Sequence, residues 1–434
     1  MKEDNTIPKS FKMTELGLPP ENWEVVRLGE IIEEVKEKNE LNAKYPVFTV
    51  SNIYGFILSD KFFNKQVYSK QRNTYKIVRK NFFAYNPYRI NVGSIGLFKS
   101  EIGLVSPAYV VFKVRSTDYF YPKFLYRLLK SSFYMSEIER IAMSRGSVRR
   151  SLSFKDLSNF EIPFPPFSEQ KKIAAVLSAV QEAKEKAEAV IEAARELKKS
   201  LMKYLFTYGP MPTEEAENVS LKETEIGLIP EKWDIAKVEK VIRGTQYGLS
   251  LRGNQQGRYP ILRMNNLIDG QVDTSHLQYV DLDEDNFKKF QLNKGDILFN
   301  RTNSFELVGK TALFDLGDDF VFASYLIRVA PDIIQLVPEY LNYYFNWNTT
   351  QIRLKVLASR GVSQSNINAT KLRDFLIPLP PLHIQQKIAK ILSTVDEKIE
   401  TEENKKKALE ELSKTLLNNL MTAKIRVNHL EIGV

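Results

Sequence analysis

Hydrophobic positions along the chain follow two kinds of pattern, and each kind occurs twice. In one, apolar and seam positions alternate steps of four and three: Ile173, Leu177, Val180, Lys184, Ala187, Ile191 and Ala194, and then, mostly in the same steps, Ile388, Leu392, Val395, Ile399, Glu402, Lys406, Leu409, Leu416 and Leu420. That spacing is a heptad seam and predicts two long amphipathic helices. Pro165-Pro166 and Pro380-Pro381 precede them, and proline suits the first turn of a helix, where its missing amide goes unused. About forty residues at 1.5 Å each make a rod of roughly 60 Å. Neither rod can bury its seam alone, so the simplest partner for each is the other, paired antiparallel. The middle of the seam is polar, at Lys184, Glu402 and Lys406.

The second pattern is of short runs rich in Val, Ile, Phe and Tyr, which predict strands over 45–53, 76–85, 108–114, 259–264, 296–299 and 324–329. Short helices opened by proline are predicted over 122–130 and 338–345. The fold class is therefore α+β, with two similar globular domains, each built on a curved sheet whose strand order the sequence does not give. Residues 208–222 carry Gly209, Pro210, Pro212 and an acidic run and read as a loop. The domains fall at 1–163 and 223–378, the helices at 164–207 and 379–424, the linker at 208–222 and a tail at 425–434.

The two halves are copies. Residues 14–32 return at 224–242, with Glu15/Glu225, Gly17/Gly227, Pro20/Pro230, Glu21/Glu231 and Trp23/Trp233 identical. Residues 144–207 and 359–422 align without gaps and share 26 of 64 positions. Weaker matches, such as Asn52/Asn266, Lys80/Lys294 and Asn86/Asn300, join these blocks, so the whole unit is duplicated. Residues 431–434 begin the motif a third time. Such a chain can close on itself with approximate two-fold symmetry.

Composition narrows the chemistry. There are 434 residues, 62 Lys and Arg against 53 Asp and Glu, a net charge of +9, and no cysteine. The excess of cations suits a polyanionic partner. Disulfide and thiolate chemistry are excluded, and a reducing compartment fits. His276, His383 and His429 are far apart and have no metal-ligand spacing. No apolar run is long enough to span a membrane and the N-terminus has no apolar run, so a cytoplasmic protein is expected.

Three near-motifs for catalysis fail. Gly309-Lys310-Thr311 resembles the end of a phosphate loop, but the required first glycine falls at Ser304. Asn86-Pro87-Tyr88 lacks one proline of the adenine methyltransferase motif, and no glycine-rich cofactor turn precedes it. Glu34-Val35-Lys36 lies on a charged amphipathic stretch and reads as solvated surface. No catalytic residues are assigned.

Three segments are candidates for contact with nucleic acid. Residues 61–80 hold seven basic residues and no acidic one, with Phe62, Phe63, Tyr68 and Tyr75 interleaved; Lys70, Arg72 and Lys76 are singled out for phosphate contact. Around the Ser-Arg-Gly motif, residues 147–156 share no identity with 362–371 although both flanks match. Arg140, Arg145, Arg149 and Arg150 cluster around the first motif; Arg149 and Arg150 suit guanine edges or phosphates, while in the second copy Gln364, Asn366 and Asn368 carry amides that suit adenine, and Arg145, Ser147, Arg360 and Ser363 are candidates for contact beside them. A drifting surface loop is the plainer alternative. The third segment is Asn300-Arg301-Thr302-Asn303-Ser304, with Lys310 beyond it; its counterpart holds Arg89 and Asn91. Turn chemistry also explains Asn and Ser there.

The segments TEIGLIPEKW (224–233), NRTNSFELVGK (300–310), SRG (359–361) and IPLPPLHIQQKIAKILSTVDEKI (377–399) resemble the specificity subunits of type I restriction–modification systems. Their first-half counterparts, SRG (144–146) and IPFPPFSEQKKIAAVL (162–177), do so too, and the resemblance covers almost the entire chain. It implies a non-catalytic subunit with two target recognition domains, each reading half of a split site in double-stranded DNA. It further implies that the helices, through seam residues such as Ile173, Leu177, Val180, Ile191, Ile388, Leu392, Val395 and Leu416, form an antiparallel spacer and dock two methyltransferase subunits, with restriction subunits joining the full complex. S-adenosylmethionine, ATP and Mg would then bind those partners. Unlike loops predict a non-palindromic site, and the helix length would set the gap between its halves. The alternatives are a stand-alone DNA-modifying enzyme, which would transfer methyl groups unaided, and a coiled-coil adaptor, which would bind all duplexes equally.

Overall fold

The computed structural model describes residues 20, 22–52, 55–63, 65, 68–144, 151–317, 319–360 and 365–431, with the side chains of 91, 132, 133, 142–144 and 360 left undescribed. The contacts divide the chain into two units, residues 1–188 with 404–434, and residues 189–403. The long helices run over Phe167–Tyr208 and Leu382–Met421, and each begins in one unit and ends in the other.

Within each unit, a piece of one long helix lies against a piece of the other, as the heptad seam requires. In the first unit Ile173 and Leu177 share a core with Leu420 and Met421, Lys184 pairs with Glu410 at 2.8 Å, and Glu188 with Lys406 at 2.9 Å. In the second, Arg195 meets Glu403 at 2.6 Å, Lys198 meets Asp396 at 2.6 Å, and Met202, Leu205 and Phe206 share a core with Ile388 and Leu392. In both, the partner's number falls as the residue number rises, so the pieces are antiparallel. The small and apolar seam residues Ala187, Ile191 and Ala194 are buried, while Val180, Val395 and Leu416 are half-buried. The polar middle is filled by ion pairs: besides those of Lys184 and Lys406, the buried Glu402 takes Lys398 at 2.8 Å.

The duplicated sequence builds a duplicated frame. In the first unit a four-stranded antiparallel sheet runs in the order Ile32–Val35, Val110–Val114, Phe83–Tyr85, Ile95–Leu97. In the second unit the equivalent strands, Ile242–Tyr247, Leu326–Pro331, Ile297–Asn300 and Thr311–Leu313, keep that order inside a six-stranded sheet. A separate two-stranded ribbon precedes each long helix. Glu24–Arg27 pairs with Glu161–Phe164, and Asp234–Lys237 with Leu376–Leu379, in matching register. Trp23 and Trp233, both buried, precede these ribbons.

The Pro-Pro-x-x-x-Gln block, strong in the sequence, has a structural cause. Gln170 is fully buried; its Oε1 accepts from the Tyr121 amide at 2.8 Å, and its Nε2 donates to the carbonyls of Pro165 and Tyr119. Gln385 does the same with the Val337 amide at 2.8 Å and the carbonyls of Pro380 and Gln335. Each glutamine thus ties the root of a long helix to the entry of the short helix Pro122–Leu129 or Pro338–Asn346. A buried amide is tolerated only when its donors and acceptor are met, which is why glutamine returns here in both copies.

Three expectations need correction. The predicted strand over 76–85 is two strands, Lys76–Arg79 and Phe83–Tyr85, in different sheets; between them Asn81 has φ of 67°, which ends the run. The linker is not plain loop: a 3-10 turn covers Thr213–Asn218, and Leu221–Thr224 pairs with Gly227–Pro230. A domain boundary at 222/223 would cut that hairpin.

Candidate nucleic-acid interface

Two of the candidate segments, distant in sequence, meet in the second unit. Thr302–Asn303 pairs with Ser365–Asn366, which in turn pairs with Ser359–Arg360, giving a three-stranded sheet. The Ser-Arg-Gly motif therefore enters a hairpin, with Arg360 opposite Ser365. Residues 361–364, which include Ser363 and Gln364, lie outside the described residues. The hairpin is held from below: the Ile367 amide donates to the Arg301 carbonyl at 2.9 Å, and Lys371 Nζ donates to the Leu357 carbonyl and Ser359 Oγ.

The first unit repeats this support. The Leu152 amide donates to the Pro87 carbonyl at 3.1 Å, the counterpart of the Ile367–Arg301 bond, and Tyr85 Oη donates to the Leu152 carbonyl. Residues 145–150, and with them Arg145, Ser147, Arg149 and Arg150, lie outside the described residues. Arg89 is exposed at the start of a 3-10 turn over Ile90–Val92, and Asn91 lies within that turn. Lys130 braces the same turn, with Nζ donating to the carbonyls of Gly93 at 2.5 Å and Asn52 at 2.8 Å. Burial pushes this ammonium down to about 8, and Arg127 adds to the effect.

Arg301 is held in place by two contacts. Its Nη1 donates to the Ser324 carbonyl at 3.1 Å and its guanidinium lies 4.8 Å from the Tyr247 ring centroid. Tyr247 Oη in turn accepts from the Ala369 amide at 2.9 Å. A planar cation fixed on a ring is pre-organised for bidentate contact. Neither Tyr247, which remains 42% exposed, nor Lys130 is marked by any pattern in the sequence.

Other expected residues serve the fold or face elsewhere. Asn303 Oδ1 accepts from the Ser304 amide and Ser304 Oγ donates to Glu306, which is turn chemistry. Asn366 Nδ2 donates to Thr302 Oγ1 at 2.7 Å, so part of its amide holds the sheet. Lys310 lines a cleft of 530 Å³ with Arg195 and Glu403 of the long helices. In the basic run, Lys70 is exposed, but Arg72 donates to the Tyr45 carbonyl and lies over Tyr68. Lys76 leaves the candidate surface: its Nζ donates to the Tyr109 carbonyl at 2.6 Å, and burial lowers its pKa. Arg79 and Lys80 pair with Glu37 and Glu101. Two of the seven cations of the run are thus paired with acids outside it, which no linear reading of 61–80 shows.

Among the described residues no group of His, Cys, Asp and Glu is arranged to hold a metal, and no helix is long and apolar enough to cross a membrane.

The model of the type I restriction modification DNA specificity domain matches residues 20–193 and again 230–411. The chain belongs to this family. Among relatives, the putative type I restriction enzyme MjaX specificity subunit of Methanocaldococcus jannaschii is 35% identical over 206 residues, 47% of this chain and 48% of that protein, so about half of that relative's length is matched. The MjaVIII specificity subunit of the same organism is 28% identical over 95% of both chains. The EcoKI specificity subunit of Escherichia coli is 24% identical over 62% of this chain and 57% of its own. A crystal structure of the type I system S subunit from M. genitalium shares the fold, with a TM-score of 0.60 and 18% identity over 92% of this chain and 96% of that one. The two family matches fall on the two repeats, so this specificity subunit carries two DNA-recognition domains, each with the backbone hydrogen bond described above, Leu152 to Pro87 or Ile367 to Arg301.

Proposed function

We propose that this specificity subunit reads a split, non-palindromic site in double-stranded DNA, one half per unit, and docks methyltransferase subunits through its long helices. The observation that carries the reading is the repeated backbone hydrogen bond, Leu152 to Pro87 and Ile367 to Arg301, made by segments that share no residue over 147–156 and 362–371. A constant anchor in segments of unlike sequence is what two readers of different half-sites need. Docking is supported by an outward stripe that the repeats share: Ala193 and Leu197 on one helix and Ala408 and Leu412 on the other, with the leucines 51% and 45% exposed. An apolar face presented twice suits the same partner bound twice. S-adenosylmethionine, ATP and Mg would be bound by methyltransferase and restriction subunits, and the chain itself would do no chemistry and work in the cytoplasm.

The test is methylome sequencing of a host expressing the chain with its methyltransferase. Inserting one heptad into each helix adds about 10 Å, roughly three base pairs of rise, and should widen the unspecified gap by about that amount. Exchanging 231–378 for a relative's segment should change one half of the site only. An unchanged gap, or a change in both halves, refutes the reading.

A further inference from the structure

The edge strand Ile242–Tyr247 of the second unit is irregular. Ile242 lies opposite Pro331 and Gly244 opposite Ala330, which leaves Arg243 as the extra residue of a bulge. A bulge re-aims the side chain it carries. Arg243 lines a cleft of 490 Å³ with Gly244, Gln246, Asn293, Asp296 and Arg328.

The charges of this cleft are unequal. Asp296 is buried, and its carboxylate accepts from the Asn293 amide at 2.8 Å. Arg328 donates to the Gln291 carbonyl at 2.7 Å and stands 3.9 Å from that carboxylate. Arg243 is exposed, and no ion pair holds it among the described residues. Two guanidiniums therefore face one carboxylate already engaged at the cleft floor. The first unit differs. There the strand Ile32–Val35 places Glu33 opposite Lys113, and Glu33 pairs with Lys113 at 3.0 Å and Arg115 at 3.4 Å. The corresponding position is neutralised in one copy and cationic in the other.

The same strand ends at Tyr247, the ring beneath Arg301. Four residues of strand are about 13 Å, or roughly four base-pair steps. We propose that the Arg243–Arg328 cleft is a phosphate site, taking a phosphodiester of the DNA backbone at the edge of the second half-site. It deepens the reading of the chain as a DNA reader and depends on it. Guanidinium forks match phosphate oxygens, and such contacts fix register without reading bases.

The test uses the full chain assembled with its methyltransferase subunits. Affinity for a duplex carrying the methylated site is measured against salt, for wild type, Arg243→Gln and Arg243→Lys. Arg243→Gln should weaken binding several-fold at physiological salt, lower the salt slope by about 0.9 for the lost phosphate contact, and leave the preference over a mismatched duplex unchanged; Arg243→Lys should restore the slope. Ethylation of one backbone phosphate beside the second half-site should interfere with wild type and not with Arg243→Gln. An unchanged slope overturns the inference while wild type still discriminates sites. If instead inorganic phosphate stabilises the wild type against heat through Arg243 and the DNA slope does not move, the occupant is a soluble phosphate and the inference also falls. Failure of wild type to discriminate would overturn the underlying reading.

Discussion

Replacing Gln385 by leucine tests whether the repeated glutamine holds each unit together. Leucine keeps most of the side chain's bulk but removes both donors and the acceptor. The Val337 amide and the carbonyls of Pro380 and Gln335 then lose the bonds they now make at 2.8, 2.8 and 3.0 Å. Gln385 is fully buried, so water cannot readily take its place. At about 1–3 kcal/mol for each of the stranded groups the loss is roughly 3–9 kcal/mol, a large part of a typical domain's total of about 5–15 kcal/mol. For a unit of this size, at about 2–4 °C per kcal/mol, that corresponds to a fall on the order of 20 °C in melting temperature. Scanning calorimetry of the full chain should show one part of the unfolding profile move down while the rest stays; a chain of two units need not melt in one step. Gln170→Leu should move the other part. Gln385→Glu, nearly isosteric, places an acceptor against two carbonyls and should destabilise at least as much. A Gln385→Leu profile within about 2 °C of wild type would show that the block is retained for a reason other than this network.

The buried Glu169 carboxylate takes Arg426 through two bonds of 2.7 and 2.9 Å, and Trp23 Nε1 at 3.1 Å. Arg426→Met should leave that charge unpaired, cost about 3–5 kcal/mol, and expose residues 423–430 to limited proteolysis; an undigested tail would count against this. Lys130 has a folded pKa of about 8, below its unfolded value of about 10.4, so between those limits the unfolded chain holds more protons. Its contribution should therefore rise with pH across that window, by at most ~3 kcal/mol, in urea unfolding of wild type relative to Lys130→Met; parallel curves would refute the assignment. Tyr247→Leu removes the ring beneath Arg301 and should relax base preference in the second half-site, read by methylome sequencing, with the first half-site unaffected.

The chain's periodicities were written in one dimension. A heptad step, a proline pair before a helix and a block that returns 215 residues later need no knowledge of neighbours, and from them the two rods, their antiparallel pairing and the two α+β domains follow. The strand runs were found, but where one strand stopped and another began depended on Asn81 adopting a left-handed backbone.

Side-chain commitments were different in kind. Lys76 looked like part of a basic run until folding brought the Tyr109 carbonyl to its ammonium; Lys310 looked like part of the Asn300 segment until it faced the helices. Residues 300–304 and 359–366 carried no sign that they would share a sheet. Sequence determined the elements and their duplication, because backbone hydrogen bonding and apolar spacing are local. Only the tertiary structure decided which cations remain available, because a charged group is claimed by whichever partner the fold delivers, however far away along the chain.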